Sequence, residues 1–163
     1  MRDFATTEAR LDITIAKYPA FPRQPAIVTR LVKHLFKEIN DDANAAMRRY
    51  GLNHPEYNIL MMLYGTPDNS LHPSELADVA GEKSANVTRL TGQLCDKGYI
   101  VRSGSEDDRR KVTLTLTPEG VEAIEGFLPD IVTLLHRQTR NLTSDEQGQL
   151  EVLLKKMLGG FGE

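Results

Sequence analysis

The chain has 163 residues, a formal net charge of −3, 40% hydrophobic residues and a single cysteine, Cys95. That length supports one domain, or one domain with an appended module, and is enough for a real core. No apolar run is long enough for a membrane span, and one cysteine excludes an internal disulfide framework or a cysteine-rich zinc site.

Met1 to Tyr18 lacks the apolar centre of a signal peptide, and Asp3, Glu8 and Asp12 spoil any match to a transit peptide, so the expected compartment is the cytoplasm. An acidic chain argues against a nucleic-acid partner, but the distribution of charge says more than the sum. Between Glu82 and Lys111 there are seven bases and five acids, a local +2, which leaves thirteen bases and eighteen acids, −5, elsewhere. A locally basic segment on an acidic body is consistent with one DNA-facing surface, and also with a solvated face.

In chain order, Ile27, Leu31, Leu35 and Ile39, with Val28, Val32 and Phe36 beside them, form a helical stripe running towards Tyr50, where Gly51 supplies a stop. Asn53 to Gly65 restarts a helix, with Pro55 in its first turn. Thr66 to Ser70 is a turn. Leu71 to Gly81 reads as one short helix and Ser84 to Gly98 as a second, with Ser84 as N-cap and Val87, Leu90 and Leu94 facing inward. Two short helices with a glycine-containing connection suggest a helix-turn-helix.

The period then changes from 3.6 to 2. Tyr99 to Ser103 and Lys111 to Thr117 read as strands, the second with Val112, Leu114 and Leu116 on one face. A helix follows from Thr117, with a stripe of Val121, Ile124, Leu128, Ile131 and Leu135 that Pro129 is expected to kink or break. Thr143 to Glu146 matches a capping box opening a last helix with Leu150, Leu153, Leu154 and Met157, ended by Gly159 and Gly160.

The expected fold is therefore mainly α with a small β-hairpin, a winged helix-turn-helix. Its parts are an N-terminal arm and first helix (1–50), a DNA-binding lobe (51–120) and C-terminal helices (121–163). The hairpin tip sets Glu106, Asp107 and Asp108 against Arg109, Arg110 and Lys111. As a wing, its arginines can enter a narrow minor groove, with Asp108 orienting them. A solvated loop with surface ion pairs is the plain alternative.

On the second short helix, Asn86, Thr88 and Arg89 lie off the inward stripe and can face the major groove, where Arg pairs with guanine and Asn with adenine. Arg89 can equally clamp phosphate or pair with an acid. Ser84 can offer its hydroxyl and the helix N-terminal amides to phosphate, or simply cap. His34, His54, His72 and His136 show no ligand spacing, so no metal or cofactor is expected. Tyr57, Met61, Met62 and Tyr64 can line an adaptable pocket or sit in the core, and Cys95 reads as a small buried hydrophobe.

Asp108, Arg110, Leu114, Leu116, Thr117 and Gly120 fit the wing pattern D-x-R-x-x-x-L-x-L-T-x-x-G, and the chain resembles the MarR family of regulators. Ser74-Glu75-Leu76-Ala77, Val87-Thr88-Arg89-Leu90 and Lys97-Gly98-Tyr99-Ile100 follow that family's helix-turn-helix, and the likeness runs from about Arg23 to Met157. Phe21, Pro22, Gln24, Thr29, Arg30, Leu31 and His34 are similar to the EmrR-type multidrug-efflux regulators. The resemblance implies a homodimer built from the first and last helices and a palindromic double-stranded DNA operator, bound through Ser84, Asn86, Thr88, Arg89, Arg109 and Arg110. It also implies a pocket for small phenols or aromatic acids, placed here near Arg30, His34, Tyr57 and Met61.

Apolar stripes on both terminal segments agree with two-fold pairing, unless they pack within one subunit. A repressor of efflux or aromatic-compound genes follows from that likeness; the alternative is a winged-helix module that binds protein or non-specific nucleic acid without a small-molecule switch. An enzyme using Asp107 and Asp108 is disfavoured, because acids on an exposed hairpin lack the desolvation that tunes a general acid.

Overall fold

The computed structural model describes residues 4–80, 84–104 and 112–162, with 79 and 80 as backbone only. The chain forms two compact units, Met1–Asp42 and Ala43–Glu163.

In the first unit, helix α1 (Ala5–Lys17) precedes α2 (Arg23–Met47), which runs on into the second. The mixed charges of α1 hid its amphipathicity from sequence reading. Leu11 is nonetheless buried with Ala26 and Ile27, and Phe4, Ile15 and Phe21 pack around them. Arg23 Nε donates to Asp12 Oδ1 at 2.9 Å and closes the helix pair. Only Ile27 of the predicted α2 stripe is buried; Val28, Leu31, Val32, Leu35, Phe36 and Ile39 are 37–69% exposed.

In the second unit, a 3-10 turn (Arg48–Tyr50) leads to α3 (His54–Tyr64), β1 (Ser70–Leu71), α4 (Pro73–Ala80), α5 (Ser84–Asp96), β2 (Ile100–Ser103), β3 (Thr113–Leu116), α6 (Pro118–Thr139) and α7 (Ser144–Gly159). Gly51, at φ +66°, takes the left-handed conformation that ends the 3-10 turn. Asn53 caps α3 reciprocally. Its Oδ1 accepts from Glu56 N and Glu56 Oε2 accepts from Asn53 N, both at 2.9 Å. Thr143 and Glu146 make the predicted capping box of α7, and these bonds hold the Glu146 carboxyl below its ordinary pKa.

The sheet is antiparallel in the order β1-β3-β2, with Ile100 opposite Leu116 and Ser70 opposite Thr115. Strand β1 falls where the sequence suggests a turn and the start of a helix. Asn69, at φ +53°, turns the chain so that the Ser70 and Thr115 hydroxyls meet at 2.9 Å. Phe127, Leu60, Leu63, Leu94, Ile100 and Leu114 form the centre of the core beneath it.

Two sequence expectations need correction. Helix α6 continues through Pro129, because Phe127, Ile131 and Leu134 are buried on either side and hold its turns in register. Its buried stripe is Gly120, Ile124, Phe127, Ile131 and Leu134, whereas Leu135 is 55% exposed. Ser84 is the first described residue of α5.

Two contacts set the geometry of α3, α5 and the hairpin. Glu56 is 2% exposed, and its Oε1 accepts from Lys97 Nζ at 2.7 Å; the same ammonium donates to Gly51 O at 2.8 Å. One lysine thus ties the end of α5 to the start of α3. At the base of the hairpin, Thr117 Oγ1 accepts from Gly120 N at 2.9 Å and donates to Gly98 O at 2.7 Å. Gly120 lies so close to Tyr99 that a Cβ would stand 2.1 Å from its carbonyl oxygen. The terminal threonine and glycine of the wing pattern are therefore a cap and a backbone crossing.

His54 stacks on Tyr57 with centroids 5.8 Å apart, and Tyr57 meets the Phe127 edge at 5.6 Å. Burial pushes the His54 imidazole below its ordinary 6.5 and the Tyr57 phenol above its ordinary value. A histidine with a depressed folded pKa favours folding fully above 6.5, and that contribution is lost as pH falls below it towards the folded value. Thermal unfolding of the parent is expected to lose more stability between pH 7 and about pH 5 than that of His54→Phe, which keeps the stack; parallel curves would refute this.

Candidate nucleic-acid interface

Helix α5 buries Val87, Leu90, Thr91 and Leu94, which leaves Thr88 and Arg89 exposed and Asn86 half-buried beside them. Arg89 Nη1 donates to Gln93 Oε1 at 2.9 Å, and Nη2 donates to Asn86 Oδ1 at 2.8 Å. Its partners are neutral amides one turn away in each direction, so its full positive charge remains on the exposed face. Thr88 Oγ1 donates to Ser84 O at 2.9 Å, which turns its hydroxyl back along the helix.

Strand β2 contributes Arg102, which sequence reading left out of the site. Its Nη2 donates to Thr91 Oγ1 at 2.6 Å and to Thr88 O at 3.2 Å, so the hairpin is bonded directly to α5. Thr91 is buried and satisfied, since its hydroxyl also donates to Val87 O at 2.8 Å. Beside Arg102 lies a cleft of about 300 Å³, lined by Pro73, Ser84, Val87, Thr88, Thr91 and Val112 among others. His72 Nδ1 lies 3.0 Å from Val112 O, tying the start of α4 to the hairpin. Asp108, Arg109 and Arg110 lie outside the described residues.

The four expected pocket residues divide between the units. In the first, Arg30 Nη1 donates to Ala26 O at 3.4 Å, and His34 meets the Phe4 ring edge-on at 5.9 Å. His34 Nε2 is 3.9 Å from Glu38 Oε1, and is buried with no hydrogen-bond partner among the described residues. In the second, Tyr57 and Met61 pack against the main core, as do Met62, Tyr64 and Cys95. Among the described residues no helix is long and apolar enough to cross a membrane.

Gln93 and Arg102 were the functional candidates missed. The signal for Gln93 was its spacing, four after Arg89; Arg102 counts among the bases of the Glu82–Lys111 segment, but its contacts depend on how β2 crosses α5.

A helix-turn-helix whose second helix exposes arginine, backed by a three-stranded wing sheet, defines a winged helix-turn-helix protein. The MarR-family sequence profile matches residues 52–112. The transcriptional repressor MprA of Escherichia coli K12 is 31% identical over 155 residues, 95% of this chain and 88% of MprA. The regulator PapX of Escherichia coli is 33% identical over 147 residues, 90% of each chain. Among solved structures, an Escherichia coli MarR mutant complexed with operator DNA superposes with a TM-score of 0.74 at 26% identity, covering 83% of this chain and 96% of that one. The chain belongs to the MarR family of transcriptional regulators.

Proposed function

We propose that the chain is a homodimeric, cytoplasmic transcriptional repressor that binds a palindromic operator and is released from it by small phenols or aromatic acids. The observation that carries the DNA-binding half is the outward face of α5, where Arg89 stands on a helix bonded through Arg102 to the hairpin. Ser84, Thr88 and Arg89 are assigned to the duplex and Asn86 to the same face of α5, with Arg109 and Arg110 on the phosphates or in the minor groove and Asp108 orienting them. MprA is named a repressor, and the MarR structure holds operator DNA, which supports carrying this role across.

The dimer is supported by α7, which buries no residue in its own chain while Leu150, Val152, Leu153, Leu154 and Leu158 are 39–71% exposed. With the exposed stripe of α2, that is more apolar surface than a monomer keeps in water. The operator should then present two half-sites about 10 bp apart, or a multiple of that spacing.

The ligand half is supported by cationic and aromatic groups. In the first unit, taken by itself, Arg30 and His34 lie one turn apart on α2; in the second, Tyr57 and Met61 pack against the core and the Arg102 cleft provides a place for a carboxylate. A ligand acts by preferring a dimer whose recognition helices are wrongly spaced, and it can shift binding no further than that difference in affinity.

The test is sedimentation at micromolar concentration, followed by operator binding titrated with salicylate at constant ionic strength. A dimer whose operator affinity falls by about 5- to 150-fold is expected. A monomer overturns the dimer, and no response across a panel of phenols and aromatic acids overturns the switch.

A further inference from the structure

We propose that Asn86 and Gln93 are positioning residues that fix Arg89 as an outward-facing fork, so that recognition of one guanine depends on these two amides as well as on the arginine. The proposal rests on the DNA-binding reading above. A guanidinium is planar and carries two N–H bonds on each terminal nitrogen. In α5 one bond from Nη1 goes to Gln93 Oε1 at 2.9 Å and one from Nη2 goes to Asn86 Oδ1 at 2.8 Å. The acceptors lie about one turn away in opposite directions along the helix, and each terminal nitrogen keeps a second N–H bond. Two such bonds held in parallel are what O6 and N7 of guanine accept in the major groove.

Two further observations agree. The Asn86 oxygen accepts from Arg89, so the guanidinium fixes the direction of the amide. Asn86 is therefore assigned to the arginine in place of the adenine pairing expected from its residue type, although the second lone pair of that oxygen stays open to a base. Gly92 follows Arg89 by three positions and so lies on the same side of α5. A Cβ there would meet nothing within 4 Å. Glycine is a poor helix former, and nothing among the described residues calls for it here. Its missing side chain leaves clearance for a base-pair edge beside the fork.

The experiment is selection from a randomised double-stranded DNA library at fixed salt, with the parent, Arg89→Ala, Asn86→Ala, Gln93→Ala, Asn86→Asp and Gln93→Glu. Circular dichroism confirms that each variant is folded. The parent should select a motif with one strongly preferred guanine per half-site, and Arg89→Ala should lose that preference by about 5- to 150-fold, the worth of a good bidentate pair. Asn86→Ala and Gln93→Ala should weaken preference at the same guanine and at no other position. The two acidic variants keep the accepting oxygen, so they should retain that preference even as added negative charge lowers affinity for every sequence.

If the alanine variants select the parent's guanine as sharply as the parent does, the positioning role is overturned while the repressor reading stands. Loss of an adenine in Asn86→Ala also overturns it. A parent that selects no sequence removes the operator reading and this inference with it.

Discussion

Lys97→Met is expected to lower the free energy of unfolding by about 3 kcal/mol, because it leaves the Glu56 carboxylate buried without its cation. Glu56 is 2% exposed, and its Oε1 accepts from Lys97 at 2.7 Å, whereas the lysine side chain is 33% exposed. That partial exposure puts the cost at the lower end of the range for breaking a buried pair. Glu56→Gln combined with Lys97→Met should recover much of the loss, since a neutral amide at position 56 can still take part in the cap of α3. Urea unfolding at one fixed protein concentration measures both, as the apparent stability of any associating chain depends on concentration. A single-variant loss below about 1 kcal/mol would show that water replaces the lysine at no net cost.

The second large effect is at Gly120. Adding one methyl group there sets a Cβ 2.1 Å from the Tyr99 carbonyl oxygen, and the obstacle is backbone, which cannot rotate aside as a side chain would. Gly120→Ala should therefore cost at least the upper part of the usual 1–3 kcal/mol for overpacking, against a small gain in helix propensity. The displaced part is where Thr117 bonds both Gly98 and Gly120, so hydrogen exchange should quicken first in β2 and β3. Gly126→Ala, in the same helix where a Cβ meets nothing within 4 Å, is the control and should be neutral or stabilising. Equal stability of the two variants would contradict the crossing.

Much of this architecture was legible because local signals agreed with it. The spacing of Val87, Leu90 and Leu94 gave the inner face of α5, and alternation about Leu114 and Leu116 gave β3. Thr143 and Glu146 announced the start of α7. Asn53 and Glu56 carry the same spacing for α3, yet that box was overlooked, and with it the anchor for Lys97 forty-one positions away. A pairing at such distance leaves no periodic trace. Helix α1 was missed because Glu8, Arg10 and Asp12 dilute its apolar face, and β1 because two residues cannot display an alternation. In α6 the apolar residues Leu128 and Leu135 offered a second stripe beside the true one, and only packing on the core decides which is buried. At the candidate interface, the residue types on α5 could be read directly. The amides that hold Arg89, and the bond from Arg102 to Thr91, depend on side-chain directions that spacing alone does not supply.

Helix α5 is fastened at two places along its length, in its middle by Arg102 to Thr88 and Thr91, and at its end by Lys97 to Gly51 and Glu56. A rod held at one point can pivot or roll, whereas a rod held at two separated points can do neither without breaking a fastening. Rolling α5 would strip the Thr91 hydroxyl of its charged donor, and sliding it would leave the Glu56 carboxylate alone in the core. Moving α5 apart from α3 and the hairpin therefore costs these contacts, whereas moving the three as one assembly keeps them.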